Sequence, residues 1–138
     1  MVKVDDYEIM EGLHYSKEYF WVRIEDAKVR MGITDYAQKQ LREIVFVELP
    51  SVGATLQQNQ PFGTVESVKA VSDLVAPLSG TIKEVNEEAR NRPELLNEDP
   101  YGQGWLLVVS PTDLDEELKS LMGFDKAVEW HKEIIKEG

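Results

Sequence analysis

Lys69 is the residue with the clearest chemical opportunity. It lies within Val65-Glu66-Ser67-Val68-Lys69-Ala70-Val71-Ser72-Asp73-Leu74 and is the only basic residue between Arg42 and Lys83. Read outward from the Lys69/Ala70 midpoint, the stretch mirrors itself in residue class. Val68 faces Val71, Ser67 faces Ser72, Glu66 faces Asp73 and Val65 faces Leu74. Such a mirror predicts two short antiparallel strands joined by a two-residue turn, with Lys69 at the tip. A turn lysine can serve solubility alone. Here its flanks are apolar, and the turn lacks the Asn-Gly or Asp-Gly of a tight hairpin. A lysine at a rigid tip is open to an enzyme that acylates it. Acylation would remove its charge and hang an arm from the domain.

Other candidates read as structure. His14 and His131 are the only histidines, and neither has a second ligand at metal spacing. Glu87-Glu88 and Glu98-Asp99 lack EF-hand spacing and read as solvated surface. Gly102-Gln103-Gly104 reads as a turn, and Ser67 has no nearby histidine to activate it. Trp21, Trp105 and Trp130 are expected in the core or under a C-terminal helix. With no cysteine, the chain has no thiolate nucleophile and no sulfur metal site, so any redox chemistry must come from a cofactor.

The 138 residues suggest a single domain over 1–138, with a core over about 12–110 and a C-terminal helical segment over about 112–137. Hydrophobic residues make up 42% and charged residues 30%, which fits a globular chain. A net charge of -11 argues against nucleic acid as a partner and favours partners with basic docking patches. The start, Met1-Val-Lys-Val-Asp-Asp, has no apolar signal core, and no run approaches the length of a membrane span. The expectation is a cytoplasmic protein with no membrane partner.

Local signals place the elements that must hold Lys69. An opening strand is expected over 8–13, and strands over Phe20–Glu25 and Lys28–Ile33 about an Asp26-Ala27 turn. Thr34 should cap a helix running to about Leu41. Ile44–Leu49 reads as a strand broken by Pro50–Gly53, and residues 55–60 as loop. Strands follow over 62–67, 71–75, 81–85 and Trp105–Val109, the last buried on both faces. Residues 86–104 should be irregular with one or two short helical turns. Thr112 should cap a helix over about 113–121, with an amphipathic helix over 124–136 after Gly123. An x-Ile-x-x-Val frame at 43–47 and 81–85 suits two similar β halves packed face to face. Many short strands with frequent turns predict a mainly β sandwich or flattened barrel.

Several stretches together resemble the glycine cleavage system H protein family. They are Gly32-Ile33-Thr34-Asp35-Tyr36-Ala37, Val45-Phe46-Val47-Glu48-Leu49-Pro50, Phe62-Gly63, Val65 to Ala70, Ser72-Asp73, Pro77 with Ser79-Gly80, and Asn97 to Gly102 with Gly104-Trp105. The resemblance runs in order from about residue 12 to 122, and Val68 and Ala70 do not fit the methionines that usually flank a biotinyl lysine. It implies a barrel-sandwich hybrid of two antiparallel sheets, with lipoate in amide linkage to Lys69 and Glu66, Ser67, Val68, Ala70 and Asp73 around it. It implies a carrier rather than a catalyst, working as a monomer. Its arm would be loaded by lipoate-attaching enzymes. It would visit PLP-dependent glycine decarboxylase (the P protein), aminomethyltransferase (the T protein) and dihydrolipoamide dehydrogenase (the L protein). A tethered arm raises the effective concentration of the cargo at each site.

Three positions depart from the family pattern. Tyr19 and Phe20 stand where the family has His-Glu, and Arg42 stands where it has glycine. The family glutamate is suited to hold the ammonium of an aminomethyl cargo, and phenylalanine cannot. Asp73 is kept and Glu18 is adjacent, so these could compensate. Phe20 therefore keeps open a related carrier serving another pathway, either heterodisulfide-reductase-like sulfur oxidation or lipoyl relay to 2-oxoacid dehydrogenases. A third reading is a non-carrier interaction module with Lys69 unmodified.

Overall fold

The computed structural model describes residues 1–137; Gly138, the last residue of the expected domain, lies outside them. Its first hairpin joins β1 (Val2–Val4) to β2 (Tyr7–Ile9). This replaces the single strand expected over 8–13. Asp5, at φ 54, makes the reversal, a left-handed conformation that aspartate tolerates better than most residues. A two-residue strand, β3 (His14–Tyr15), follows.

β4 (Phe20–Glu25) and β5 (Lys28–Ile33) have the expected limits, and Asp26 turns the chain between them at φ 58. Helix α1 (Asp35–Leu41) starts where Thr34 Oγ1 accepts the Ala37 N–H at 3.2 Å. Next come β6 (Ile44–Glu48), β7 (Thr55–Leu56), β8 (Pro61–Ser67), β9 (Val71–Val75) and β10 (Gly80–Val85). β7 lies in a stretch expected to be loop: its two residues pair with Gly80 and Thr81 despite their polar setting. Two short helices, α2 (Glu87–Asn91) and α3 (Leu95–Glu98), occupy the polar 86–104 segment.

β11 (Leu107–Pro111) begins two residues later than the apolar run suggests. Asn86 Nδ2 donates to the Gln103 and Trp105 carbonyls at 2.9 and 2.7 Å, so the approach is tied to a side chain as far as Trp105, and the Leu106 N–H is the first to reach β5, at the Met31 carbonyl at 2.8 Å. Trp105 is half-buried, with the Arg30 guanidinium 4.5 Å from its ring centroid. Leu106 to Val109 are buried throughout, as expected for a strand covered on both faces.

Helix α4 (Leu114–Leu118) is shorter than the 113–121 expected, and Asp113 rather than Thr112 stands at its N-cap, without a side-chain capping bond. Beyond it, Met122 exchanges two backbone hydrogen bonds with Tyr15, each 2.8 Å, which draws the chain out of helical geometry. Helix α5 (Phe124–Glu137) closes the chain.

All strand pairs are antiparallel. A six-stranded sheet has the order β3-β4-β5-β11-β10-β7, and a three-stranded sheet the order β6-β8-β9. Phe20, Val22, Met31, Ile82, Leu107 and Val109 of the first meet Ile44, Val47, Val65 and Leu74 of the second in one core. The two x-Ile-x-x-Val segments, β6 and β10, thus lie in the two facing sheets. Gly63 is required where β8 passes β6, because a Cβ there would collide with the Glu48 carbonyl oxygen.

A second cluster of Ile9, Leu13, Tyr15, Trp21, Tyr101, Met122 and Ala127 seats α5 on the six-stranded sheet. Trp21 is fully buried and its indole N–H donates to the Pro100 carbonyl at 2.9 Å. His131 is also fully buried, edge-on to Tyr15, Tyr36 and Trp130. The Ala127 carbonyl, 2.7 Å from Nδ1, can only accept, so Nδ1 carries the proton and Nε2 is left without a partner among the described residues. Burial holds the His131 pKa below its ordinary 6.5, against the opposing influences of the Ala127 carbonyl and Asp35.

Two predictions follow from this packing. Gly63→Ala should lower the unfolding free energy by about 2 kcal/mol in urea titrations, because backbone must move to admit the methyl group; an unchanged value would contradict the close approach. The unfolded chain takes up a proton at His131 below its ordinary 6.5, whereas the folded chain resists it, so stability falls as pH drops through that range. Between about pH 7.5 and 5.5 the protein should lose about 1 kcal/mol that His131→Gln does not lose; equal losses would mean His131 is not held neutral.

Candidate functional site

The hairpin carrying Lys69 forms, but in a different register from the mirror. Val65 pairs with Ser72, Glu66 with Val71 and Thr64 with Asp73. Each partner is two residues from its mirror position, so the turn centre moves one residue back and Val68-Lys69, not Lys69-Ala70, forms the tip. Glu66 and Asp73 are therefore diagonal neighbours rather than opposite each other. Val65 and Leu74 are both buried and so lie on the inward face. A shift of two residues preserves the faces of a strand, so alternation alone cannot distinguish the two registers.

Ser67 decides between them. Its N–H donates to the Ala70 carbonyl at 2.8 Å. Its hydroxyl donates to the same carbonyl at 3.2 Å and accepts the Lys69 and Ala70 N–H groups, each at 3.1 Å. One donor and two acceptor positions are thereby filled, the full capacity of a hydroxyl. This local network replaces the Asn-Gly chemistry that the turn lacks. The Val68 N–H donates to the Glu43 carbonyl at 3.0 Å, pinning the tip to the α1–β6 connection.

The Lys69 side chain is exposed, with Nζ 3.5 Å from the Gln40 carbonyl. It forms no ion pair among the described residues. Val68, Val71 and Phe46 are also largely exposed around it, at 66%, 64% and 50%, while Glu66 projects outward between Phe46 and Val71 in the ladder. Ala70 completes the exposed tip.

Beside the tip lies a cleft of about 280 Å³ between α1, the start of β4 and the β8–β9 hairpin. Gln40 joins the two, since it lines the cleft and its carbonyl receives Lys69. Glu18 and Asp73 bring carboxylates to the lining. Tyr19 stands at φ 72, its carbonyl accepting the Thr34 N–H at 2.9 Å. Its ring stacks on Tyr36 at 5.7 Å and tilts against Trp130 at 5.6 Å, so α5 backs the cleft wall. Burial, followed by the neighbouring Tyr19 and Tyr7, raises the Tyr36 pKa and keeps its hydroxyl protonated. Phe20 also borders the cleft but is only 1% exposed, its ring edge against Phe62 at 5.8 Å. The family glutamate position is thus an apolar core position here.

Of the residues the sequence singled out, Lys69, Ser67, Val68 and Ala70 form the tip and Asp73 lines the cleft. Glu66 is part of the outer face and takes no part in the cleft. Gln40 and Glu43 gave no local signal, because chain crossing alone brings them to the tip and cleft; Arg42 stood out only as a departure from the family glycine, and Tyr36 and Trp130 only as motif and packing residues. No group of three His, Cys, Asp or Glu among the described residues is arranged to hold a metal ion. Ser67 has its hydroxyl fully engaged and no basic side chain hydrogen-bonded to it, so it is a turn former rather than a nucleophile.

The sequence model of the glycine cleavage H-protein matches residues 13–134. A glycine cleavage system H protein of Geobacillus sp. is 53% identical over 126 residues, covering 91% of this chain and 95% of that protein. A probable glycine cleavage system H protein of Pyrococcus abyssi is 49% identical over 135 residues, covering 97% of this chain and all of that protein. The crystal structure of a glycine cleavage system H protein from Mycobacterium marinum superimposes with a TM-score of 0.83 at 38% identity, over 90% of this chain and 99% of that one. With the antiparallel sandwich and its lysine-tipped hairpin, these matches show that the chain belongs to the glycine cleavage H-protein family.

Proposed function

We propose that this chain is the lipoyl carrier of the glycine cleavage system, with lipoate in amide linkage to Lys69. The observation that carries the reading is an exposed lysine amine, free of ion pairs among the described residues, on a turn that the Ser67 hydroxyl holds in place. An acylating enzyme can reach such an amine, and the cleft bordering Gln40 offers an attached arm an apolar wall. Held in amide linkage at Lys69, lipoate would supply a redox-active disulfide, reduced as it accepts an aminomethyl group left by decarboxylation of glycine and returned to the disulfide by dihydrolipoamide dehydrogenase.

The chain's own residues position and shelter. Ser67 and Glu43 fix the base of the arm, so the direction of the Cα–Cβ bond at Lys69 is set before any partner arrives. Tyr19 and Tyr36 form an aromatic wall along one side of the cleft. Glu18 and Asp73 supply negative charge suited to a cationic amine, a role that Phe20 cannot take. We read the whole chain as one carrier domain, acting as a monomer in the cytoplasm and doing no bond chemistry itself. No helix among the described residues is long and apolar enough to cross a membrane.

A carrier for sulfur oxidation or for 2-oxoacid dehydrogenases, which Phe20 left open, is not favoured. The relatives that match over nearly the full length carry the glycine cleavage name. The carboxylates of Glu18 and Asp73 also supply the charge that Phe20 lacks.

Intact-protein mass spectrometry after expression with a lipoate ligase should show one lipoyl adduct that Lys69→Arg abolishes. The lipoylated protein should support exchange of labelled bicarbonate into glycine by glycine decarboxylase. An unmodified wild-type chain would overturn the carrier reading, and a lipoylated chain without exchange would overturn the assignment to glycine cleavage.

A further inference from the structure

The chain carries 26 acidic and 15 basic residues, yet one surface beside Lys69 has the opposite character. A depression next to the tip is lined by Lys3, Lys39, Arg42 and Lys69, with Asp6 as its only carboxylate. Three elements supply these cations: β1, the end of α1 and the hairpin tip. Lys39 is partly engaged, with its ammonium 3.1 Å from the buried Asp35 carboxylate and bonded to the Asp6 main-chain carbonyl. Lys3, Arg42 and Lys69 form no ion pair among the described residues.

Arg42 is the least expected member. Its backbone stands at φ 72 and ψ -148, a region that glycine enters freely and other residues enter at a penalty. The surroundings enforce it. The Arg42 N–H donates to the Gln38 carbonyl at 2.9 Å, and its own carbonyl accepts from Asn97 Nδ2 at 2.7 Å. A side chain kept in such a conformation, exposed and unpaired, brings a fixed positive charge to the rim of the tip.

We infer that Lys3, Lys39 and Arg42 form a cationic collar that docks a carboxylate-rich surface of the enzyme that acylates Lys69. The inference rests on the carrier reading of Lys69. Elsewhere the acidic chain repels an acidic partner surface, so the collar is where such a surface can settle, and this fixes the approach toward the tip. Before acylation Lys69 adds a fourth cation to the depression. Amide formation removes that charge, so the same surface binds the product less tightly than the substrate. The collar therefore favours release of the modified chain. This contrasts with the basic docking patches that the overall charge suggests for partners meeting other faces.

The test uses the full chain with a purified ATP-dependent lipoate ligase, lipoate and ATP. Lys39 is left intact because it also pairs with Asp35. Reversing two rim charges in Lys3→Glu/Arg42→Glu should raise the KM for the chain about tenfold with kcat within about twofold. The wild-type KM should rise with added NaCl while that of the double variant does not. Arg42→Lys, which keeps charge and backbone strain, should retain the wild-type KM. A double variant with wild-type KM and salt dependence would overturn the collar while lipoylation at Lys69 left the carrier reading standing. Failure of the wild-type chain to accept lipoate would overturn the carrier reading and the collar with it.

Discussion

One hydroxyl determines where this protein presents its working residue. Ser67 Oγ accepts the N–H groups of Lys69 and Ala70 and donates to the Ala70 carbonyl, so every polar position it has is filled inside the turn. The turn residues themselves, Val68 and Lys69, have no intrinsic preference for a tight reversal. Without the serine, the two N–H groups would turn to water and the tip would lose its defined direction. The remaining architecture supports this point. Val65 and Leu74 anchor the hairpin stem in the core, and the Glu43 carbonyl ties the tip to the end of α1.

The scaffold behind the tip divides its work between two cores. The core between the two sheets fixes the hairpin. The second core holds α5 against the six-stranded sheet and, through Trp130 and Tyr19, places an aromatic wall beside the attachment residue. The departures from the family pattern fall on this boundary. Tyr19 becomes part of the wall, Phe20 part of the core, and Arg42 part of a charged rim. None of the three disturbs the hydrogen bonds of the tip. Changes around the cleft and the hydrogen bonds of the lysine turn are therefore separable in this chain.

Elements with strong local signals were legible in the sequence. The β-branched and aromatic content of β4, the alternation of β5 and the Thr34 cap each lie within their own element, and all three emerged with the expected limits. Register was not legible, since sliding the hairpin by two residues leaves Val65 and Leu74 on the same face. The start of β11 was missed because Asn86, far away in sequence, holds the Gln103 and Trp105 carbonyls. The same division applies at the site. Lys69 stood out through its isolation among small apolar neighbours, whereas Gln40, Arg42 and Glu43 reach the tip only through the packing of the α1–β6 connection.

The central claim is that the serine hydroxyl, rather than turn propensity, holds Lys69 in place. Amide hydrogen exchange in the protein and in Ser67→Ala tests it directly. The Lys69 and Ala70 amides should be protected in the protein and should lose most of that protection in the variant. The Val68 amide, held by the Glu43 carbonyl, should keep its protection. Unchanged protection at Lys69 and Ala70 in Ser67→Ala would contradict the account.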